Sequence, residues 1–388
     1  MNKRLVYACV TLGWAVGASS ARAQLFDFGS DGTFGAITVA NGATLTVNLP
    51  PDGIIHATTV MVGGTLKFNR NPLNTPVYLL ATGNVVVTGS IDVSGAVGTS
   101  NPPVGGRGGP GGFDGGMPGF GAGVLPGAGH GPGAGLGETA TGAAGLAAYG
   151  PVNFSARPTN GQVYGSPSLI PMVGGSGGGG TAGQPGTGGM GGGGAILIAS
   201  NTRIDITSPG NVLANGGQGG CQVNEGSGGA IRLLAPVVAG NGSIRVGSGN
   251  CNAGGYGRIR VDSIDRTALQ LSFQPNSSTT AVGSTMFAFP DLVPRLDILQ
   301  AAGQNIPEDT PNPVTVLLPF GSTSSRTVTV RARNFTGIVP IDVVLTPDNG
   351  DRVIYPDQID MGQSSSAQVI VNVDVPINSI TRVEVWTR

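Results

Sequence analysis

The stretches Gly64-Thr65-Leu66-Lys67-Phe68, Gly89-Ser90-Ile91-Asp92-Val93 and Gly242-Ser243-Ile244-Arg245-Val246 share one pattern: glycine, a hydroxyl residue, an aliphatic residue, a variable residue and an apolar residue. Gly42-Ala43-Thr44-Leu45-Thr46-Val47 is a looser copy. The central aliphatic residues of the first three copies along the chain are 21 and 25 residues apart. This is about one coil of a solenoid, in which each coil buries its apolar side chains against its neighbours. The pattern predicts a right-handed parallel β-helix.

The N-terminus has the form of an export signal. Lys3 and Arg4 precede an apolar run over residues 5–18, and Ala21-Arg22-Ala23 is a small-residue cleavage site. A membrane anchor is the alternative, but the run is shorter than the roughly 20 residues that span a bilayer. We expect residues 1–23 to be a signal peptide, the mature chain to have no membrane span, and the protein to be secreted (periplasmic, cell-surface or extracellular).

Composition favours an all-β fold. Of 388 residues, 70 are glycine and only 11% are charged, and β-branched residues dominate the segments between glycines. No long stretch follows the 3.6-residue period of a helix. The formal net charge of −1 excludes a general electrostatic attraction to nucleic acid or to an anionic membrane.

Strand patterns divide the mature chain into four parts. Residues 24–94 and 195–289 use the same short β-branched runs bounded by glycine, and we assign both to the solenoid. Residues 95–194 are a glycine-rich insertion with isolated apolar residues such as Phe113 and Tyr149. We expect a long loop with polyproline II-like strands, packed on the solenoid flank and the least stable part of the fold. Seven short alternating strands follow over residues 290–388 and predict an immunoglobulin-like β-sandwich.

Two cysteines remain after removal of the signal peptide. Cys221 and Cys251 lie in glycine- and asparagine-rich loops at corresponding places between predicted strands. In an exported protein this arrangement predicts a disulfide between adjacent coils. A catalytic thiol is the alternative, but no Cys-His motif surrounds either residue.

Signals for enzymatic chemistry are weak. Gly129-His130-Gly131 and Arg258-Ile259-Arg260 resemble fragments of the polygalacturonase family, which has a β-helix scaffold, but the paired aspartates of that family are missing and Asn201-Thr202-Arg203 carries a cation in their place. Gly111-Gly112-Phe113-Asp114 is one isolated acid rather than a repeated calcium motif, and the chain has only two histidines. We therefore predict no catalytic residue, no metal and no cofactor.

The candidate ligand-binding residues are arginines on predicted strands. A ladder of such side chains would recognise acidic sugars; the alternative is that they are solvated residues alternating with buried isoleucine and valine. The four residues are Arg232, Arg245, Arg258 and Arg260.

The run Gly226-Ser227-Gly228-Gly229-Ala230-Ile231-Arg232-Leu233, followed by Ala235-Pro236, resembles runs typical of exported, largely uncharacterised bacterial proteins with a glycine-rich parallel β-helix and a C-terminal β-sandwich domain. The resemblance implies a secreted or surface location and no particular reaction. Our first hypothesis is a non-catalytic structural or adhesion protein that binds extracellular polysaccharide or other cell-surface components. The alternative is a polysaccharide-degrading enzyme, a lyase or a glycoside hydrolase, on the same scaffold.

Overall fold

A computed structural model describes residues 26–139, 143–155, 157–218, 224–249, 254–275 and 279–387. Strands account for 40% of the structure and the described part contains no α-helix, which confirms the all-β class. None of the described residues form a helix that is long and apolar enough to cross a membrane.

The largest sheet is a parallel half-barrel. Its strands are β1 (Gly35–Val39), β3 (Ile54–Val62), β5 (Val77–Ala81), β6 (Val85–Val87), β10 (Ala195–Ser200), β11 (Arg203–Ile206), β13 (Ala230–Leu234), β14 (Val237–Ala239), β16 (Arg258–Asp262) and β18 (Thr280–Gly283). Nine of them follow one another in the order β14-β11-β6-β3-β5-β10-β13-β16-β18, and β1 pairs beside β3.

The predicted right-handed parallel β-helix is wrong, because the main sheet is this half-barrel. The long strand β3 shows the physical reason. It pairs with β5 through Ile54 to Ala57 and with β6 through Val60 to Val62. The strands that follow β5 and those that follow β6 in the sheet therefore join at β3 to form one curved sheet. The repeat length had predicted that they would form separate faces of a solenoid.

A second parallel sheet has six strands in the order β17-β15-β12-β7-β4-β2. They are β2 (Thr44–Asn48), β4 (Thr65–Asn69), β7 (Ser90–Asp92), β12 (Asn211–Leu213), β15 (Ser243–Arg245) and β17 (Ser272–Gln274). The central aliphatic residues of the sequence motif stack in register here, since Leu45 pairs with Leu66, Leu66 with Ile91, and Val212 with both Ile91 and Ile244. The motif therefore marks one position in this sheet.

The motif glycines are required by close packing. A Cβ on Gly64 would lie 2.1 Å from the carbonyl oxygen of Ala43, and one on Gly89 would lie 2.0 Å from that of Gly64. Only at Gly42 in the loose copy, where φ is +75° and no atom is within 4 Å, does the backbone conformation itself favour glycine.

One apolar core fills the space between the two parallel sheets and includes Ile196 and Ile231 from the half-barrel and Leu66 and Ile244 from the second sheet. The opposite face of the half-barrel is also covered, by a separate cluster that contains Leu197. Burial on both faces explains why β10 is apolar at nearly every position, as is typical of parallel sheets.

The glycine-rich tract, residues 95–194, consists mainly of extended segments that lie side by side. Apart from β8 (Thr99–Ser100) and β9 (Pro103–Val104), its described residues form extended segments that hydrogen-bond to one another every third residue. The amides of residues 113, 116 and 119 donate to carbonyls 175, 178 and 181, and the amides of 175, 178 and 181 donate to carbonyls 193, 190 and 187. Three residues per turn is the period of polyproline II.

Neighbouring segments of the tract approach so closely that only glycine fits between them. A Cβ on Gly115 would lie 1.9 Å from the carbonyl oxygen of Gly189, and one on Gly179 would lie 1.8 Å from that of Leu136. The glycines therefore serve as packing residues of an ordered element, in the way that glycine serves in collagen.

The C-terminal unit consists of two antiparallel sheets that share one apolar core. The first sheet has the order β20-β19-β21-β24 and the second β23-β22-β25. Their strands are β19 (Arg295–Ala301), β20 (Gln304–Asn305), β21 (Ser325–Arg333), β22 (Ile338–Pro347), β23 (Val353–Asp360), β24 (Ser366–Asp374) and β25 (Thr381–Thr387).

The predicted immunoglobulin-like sandwich is wrong. Counted along the chain, the first, second, third and sixth strands of this unit share one sheet. In an immunoglobulin constant-type domain the first, second, fourth and fifth do so.

Candidate functional site

The outward face of the six-stranded sheet presents a continuous row of neutral polar side chains. Adjacent members are paired across neighbouring strands, and each lies next to an inward-facing apolar residue; Ser90, for example, precedes the fully buried Ile91. The row consists of Thr44, Thr65, Ser90, Asn211, Ser243 and Ser272. It crosses all six strands, so its hydroxyl and amide groups repeat at the strand spacing of about 4.8 Å.

A second row runs beside the first and is chemically mixed. It consists of Thr46, Lys67, Asp92, Leu213, Arg245 and Gln274. The Lys67 ammonium lies 3.6 Å from the Asp92 carboxylate, so these two charges largely offset each other. Arg245 is exposed, as Lys67 is.

Hydrogen bonds between side chains order parts of the face. Ser90 Oγ donates to Asn211 Oδ1 at 2.8 Å, and Asn69 Nδ2 donates to Asn48 Oδ1 at 2.7 Å. These contacts lower the rotamer freedom that a bound ligand would otherwise have to restrict. The hydroxyl residue of the sequence motif lies on this face. In the sequence alone, the motif indicated a strand but did not indicate a binding face.

Only one of the four candidate arginines lies on this face, namely Arg245. Arg232 is 1% exposed; its Nε donates to Asp262 Oδ2 at 3.0 Å, and its Nη2 donates to the carbonyl oxygens of Thr285 and Phe287. Burial lowers the pKa of Arg232, an effect that the carboxylate of Asp262 opposes. Its position indicates a structural role.

Arg260 and Arg258 also contact protein groups. Arg260 pairs in register with Arg232 and donates to both oxygens of Asp262 at 2.7 and 2.8 Å. Arg258 donates to the carbonyl oxygen of Tyr164 at 2.9 Å, and its guanidinium lies 5.5 Å from the centre of the Tyr149 ring. The structure thus brings Arg232 and Arg260 together on the half-barrel and leaves Arg245 apart from them.

The remaining sequence predictions fall elsewhere. Cys221 and Cys251 lie outside the described residues. Within the described residues, no group of three histidine, cysteine or acidic side chains could hold a metal ion. A cavity of about 370 Å³ in the C-terminal unit is lined by residues such as Gln304, Arg326 and Asn372, with no acid or histidine among them.

A cluster of charged groups joins the tract to the C-terminal unit. The Asp114 carboxylate pairs with Arg70 and lies 3.4 Å from Arg382 Nη2, while Arg352 Nη1 donates to the carbonyl oxygen of Gly131 at 2.9 Å. Burial lowers the pKa of the neighbouring His130 to about 3, so its imidazole is neutral at pH 7. The contacts of Arg382 and Arg352 dock the two parts on each other.

No protein-family model, curated protein or solved structure matches this chain. The resemblance to exported glycine-rich β-helix proteins therefore stays a prediction.

Proposed function

We propose that the mature chain is a non-catalytic secreted or cell-surface structural or adhesion protein that binds an extracellular polysaccharide on the outward face of the six-stranded sheet. The observation that carries the proposal is the row of neutral hydroxyl and amide side chains across all six strands. Such groups both donate and accept hydrogen bonds, as sugar hydroxyls do, and their partial desolvation costs far less than that of a charge.

The geometry favours a neutral and extended ligand. A row repeating at about 4.8 Å offers many equivalent weak contacts, which together hold a polymer more strongly than a single sugar. An acidic polysaccharide would need several cations on one face. Arg232, Arg258 and Arg260 instead donate to protein groups on the half-barrel, and Lys67 is paired with Asp92.

Co-sedimentation of the mature protein with insoluble polysaccharides tests the proposal. We expect binding that changes little from low to high salt, because the ligand is neutral. Thr65→Glu and Ser243→Glu replace a neutral hydroxyl of the row by a bulkier, charged side chain and should each weaken binding about tenfold, equivalent to about 1.4 kcal/mol. Thr329→Glu, the same kind of change on β21 of the C-terminal unit, is the matched control and should bind as the wild type does.

Three outcomes would contradict the proposal. The first is an absence of binding to a broad panel of neutral polysaccharides, and the second is equal binding by all three variants. The third is a release of reducing ends in proportion to protein concentration, which would favour the polysaccharide-degrading enzyme.

A further inference from the structure

Both edges of the six-stranded sheet are free within the described residues, since β2 pairs only with β4 and β17 only with β15. On β2, the carbonyl oxygen of Ala43 accepts a hydrogen bond from the amide of Thr65 at 2.8 Å, so the polar backbone groups of Ala43 point towards β4. Alternate residues of a strand direct these groups to opposite sides. Thr44 and Thr46 therefore direct theirs to the free edge.

The other edge has the complementary arrangement. The amide of Ser272 donates to the carbonyl oxygen of Gly242 at 2.9 Å, and the carbonyl oxygen of Gln274 accepts from the amide of Val246 at 3.1 Å. Both residues therefore bond towards β15. Phe273, which lies between them, directs its N–H and C=O groups to the free edge of β17.

These two edges match each other as parallel strands. In a parallel pair, a residue that faces its partner strand bonds to the two residues flanking the opposite position. With Phe273 opposite Leu45, the Phe273 N–H meets the Thr44 carbonyl and the Thr46 N–H meets the Phe273 carbonyl. The same placement sets Ser272 beside Thr44, so each row of the outward face continues across the joint.

The side chains at the edges also favour pairing. Leu45 is 38% exposed, whereas Leu66 and Ile244, at the same position of internal strands, are fully buried. Neither β2 (TLTVN) nor β17 (SFQ) contains a charged residue or a proline, the devices that commonly protect an edge strand from pairing.

We propose that the protein associates head to tail with a second copy of itself, with β17 of one copy pairing in parallel with β2 of the next. The occupant is another copy because the free N–H and C=O groups of Phe273 at one edge match, in register, the free C=O of Thr44 and N–H of Thr46 at the other. Such a joint is heterologous and leaves one free edge of each kind, so it produces open-ended chains. This inference does not depend on the proposed ligand.

Sedimentation velocity of the mature full-length protein over a wide concentration range tests the proposal. Thr44 and Ser272 are about 24 Å apart within one molecule, at about 4.8 Å per strand, and this is well beyond the Debye length of about 8 Å. Charges at these two positions can therefore couple only between molecules. We expect the wild type to form species that grow with concentration, and T44K/S272K to associate about two- to fivefold more weakly than T44D/S272K.

A backbone variant provides a second test. Thr46→Pro removes an N–H that has no partner among the described residues, so the melting temperature should stay near that of the wild type while association is lost. A wild type that stays monomeric at all concentrations would overturn the proposal. So would charge variants that associate equally, or a folded Thr46→Pro variant that associates as the wild type does.

Discussion

The guanidinium of Arg382, on β25, lies 3.4 Å from the carboxylate of Asp114 in the glycine-rich tract. Arg70 pairs with the other oxygen of the same carboxylate. One acid therefore connects three parts of the chain: the segment after β4, the tract and the C-terminal unit. Asn349 adds to this contact by donating to the carbonyl oxygen of Leu125 at 2.8 Å.

We expect Asp114→Asn to loosen the docking of the C-terminal unit, because it leaves two arginines without their counter-ion. Burial alone would raise the pKa of Asp114, but the charges of Arg70 and Arg382 and the hydrogen bonds from Arg70 and Gly108 together outweigh it, and the pKa is lowered. The stabilisation is thus present above the unfolded pKa and is lost as pH falls through the folded value. The protection factors of amides on β22 and β25, which correct for the pH dependence of intrinsic hydrogen exchange, should fall in the variant at pH 7 and in the wild type at acid pH. Asp351→Asn, an exposed change on the same unit, is the control and should leave exchange unaltered.

Glu384 should have the opposite pH dependence. Its Oε2 is inaccessible and has no hydrogen-bond partner in the described part of the chain, and burial raises the pKa of this carboxyl above 4.5. A raised acid pKa means that stability falls as pH rises through the unfolded and then the folded value. Glu384→Gln should remove this loss, so its melting temperature should exceed that of the wild type at pH 7 and match it at about pH 4. An equal difference at both pH values would contradict the assignment.

Two glycines of the tract provide a matched pair. A Cβ at Gly115 would lie 1.9 Å from the carbonyl oxygen of Gly189, whereas one at Gly123 would meet no atom within 4 Å. We expect Gly115→Ala to lower the free energy of unfolding by about 2 kcal/mol or more through overpacking. Gly123→Ala should change it by no more than about 0.5 kcal/mol. Denaturant titration of both variants decides the matter, and equal midpoints would mean that the tract is loosely packed.

Ile244 and Arg245 are neighbours on β15 with opposite orientations. Ile244 is fully buried and Arg245 is exposed. Ile244→Asp should destabilise the protein by several kcal/mol because it buries an unpaired charge, while Arg245→Ala should stay within about 0.5 kcal/mol. Thermal unfolding measures both, and similar losses would show that the two side chains do not point to opposite faces of the sheet.

The hydrogen bonds and close packing of the tract reverse the expectation that it is the least stable part of the fold, so proteolysis should begin in the C-terminal unit and spare the tract. Leu317 and Phe320 are almost fully exposed in the segment between β20 and β21, which has no strand. Many tract amides are hydrogen-bonded to neighbouring segments, which protects them from local opening. Limited chymotrypsin digestion followed by mass spectrometry should therefore show the first cleavage after one of these two residues. A first cleavage within the tract would show that it opens more readily than the exposed segment.

The sequence predicted individual strands better than their assembly. The motif placed Leu66, Ile91 and Ile244 at one structural position because alternation and glycine spacing are local signals. Val314-Thr315-Val316-Leu317 had the same alternation but is not a strand, since pairing depends on partners far along the chain. The half-barrel was missed because the sequence does not show that β3 pairs with both β5 and β6.

The tract and the candidate face were harder to predict for different reasons. The glycine- and proline-rich composition predicted polyproline II-like strands, but glycine has no side chain to show which segments neighbour one another, so the hydrogen bonds around Gly175 and Gly178 could not be predicted. The hydroxyl residues Thr65 and Ser243 were visible in the motif. That they belong to one continuous row depends on the register between strands, and the register is seen only in the folded chain.

The three-residue turn of the tract also limits how its length can change. Successive residues point about 120° apart around the axis of such a segment. The amides of residues 174, 175 and 176 therefore donate hydrogen bonds to three different neighbouring segments. Loss of one residue would rotate everything beyond it by a third of a turn and aim each amide at the wrong neighbour. Loss or gain of three residues would shorten or lengthen the segment while keeping every amide pointed to the same side.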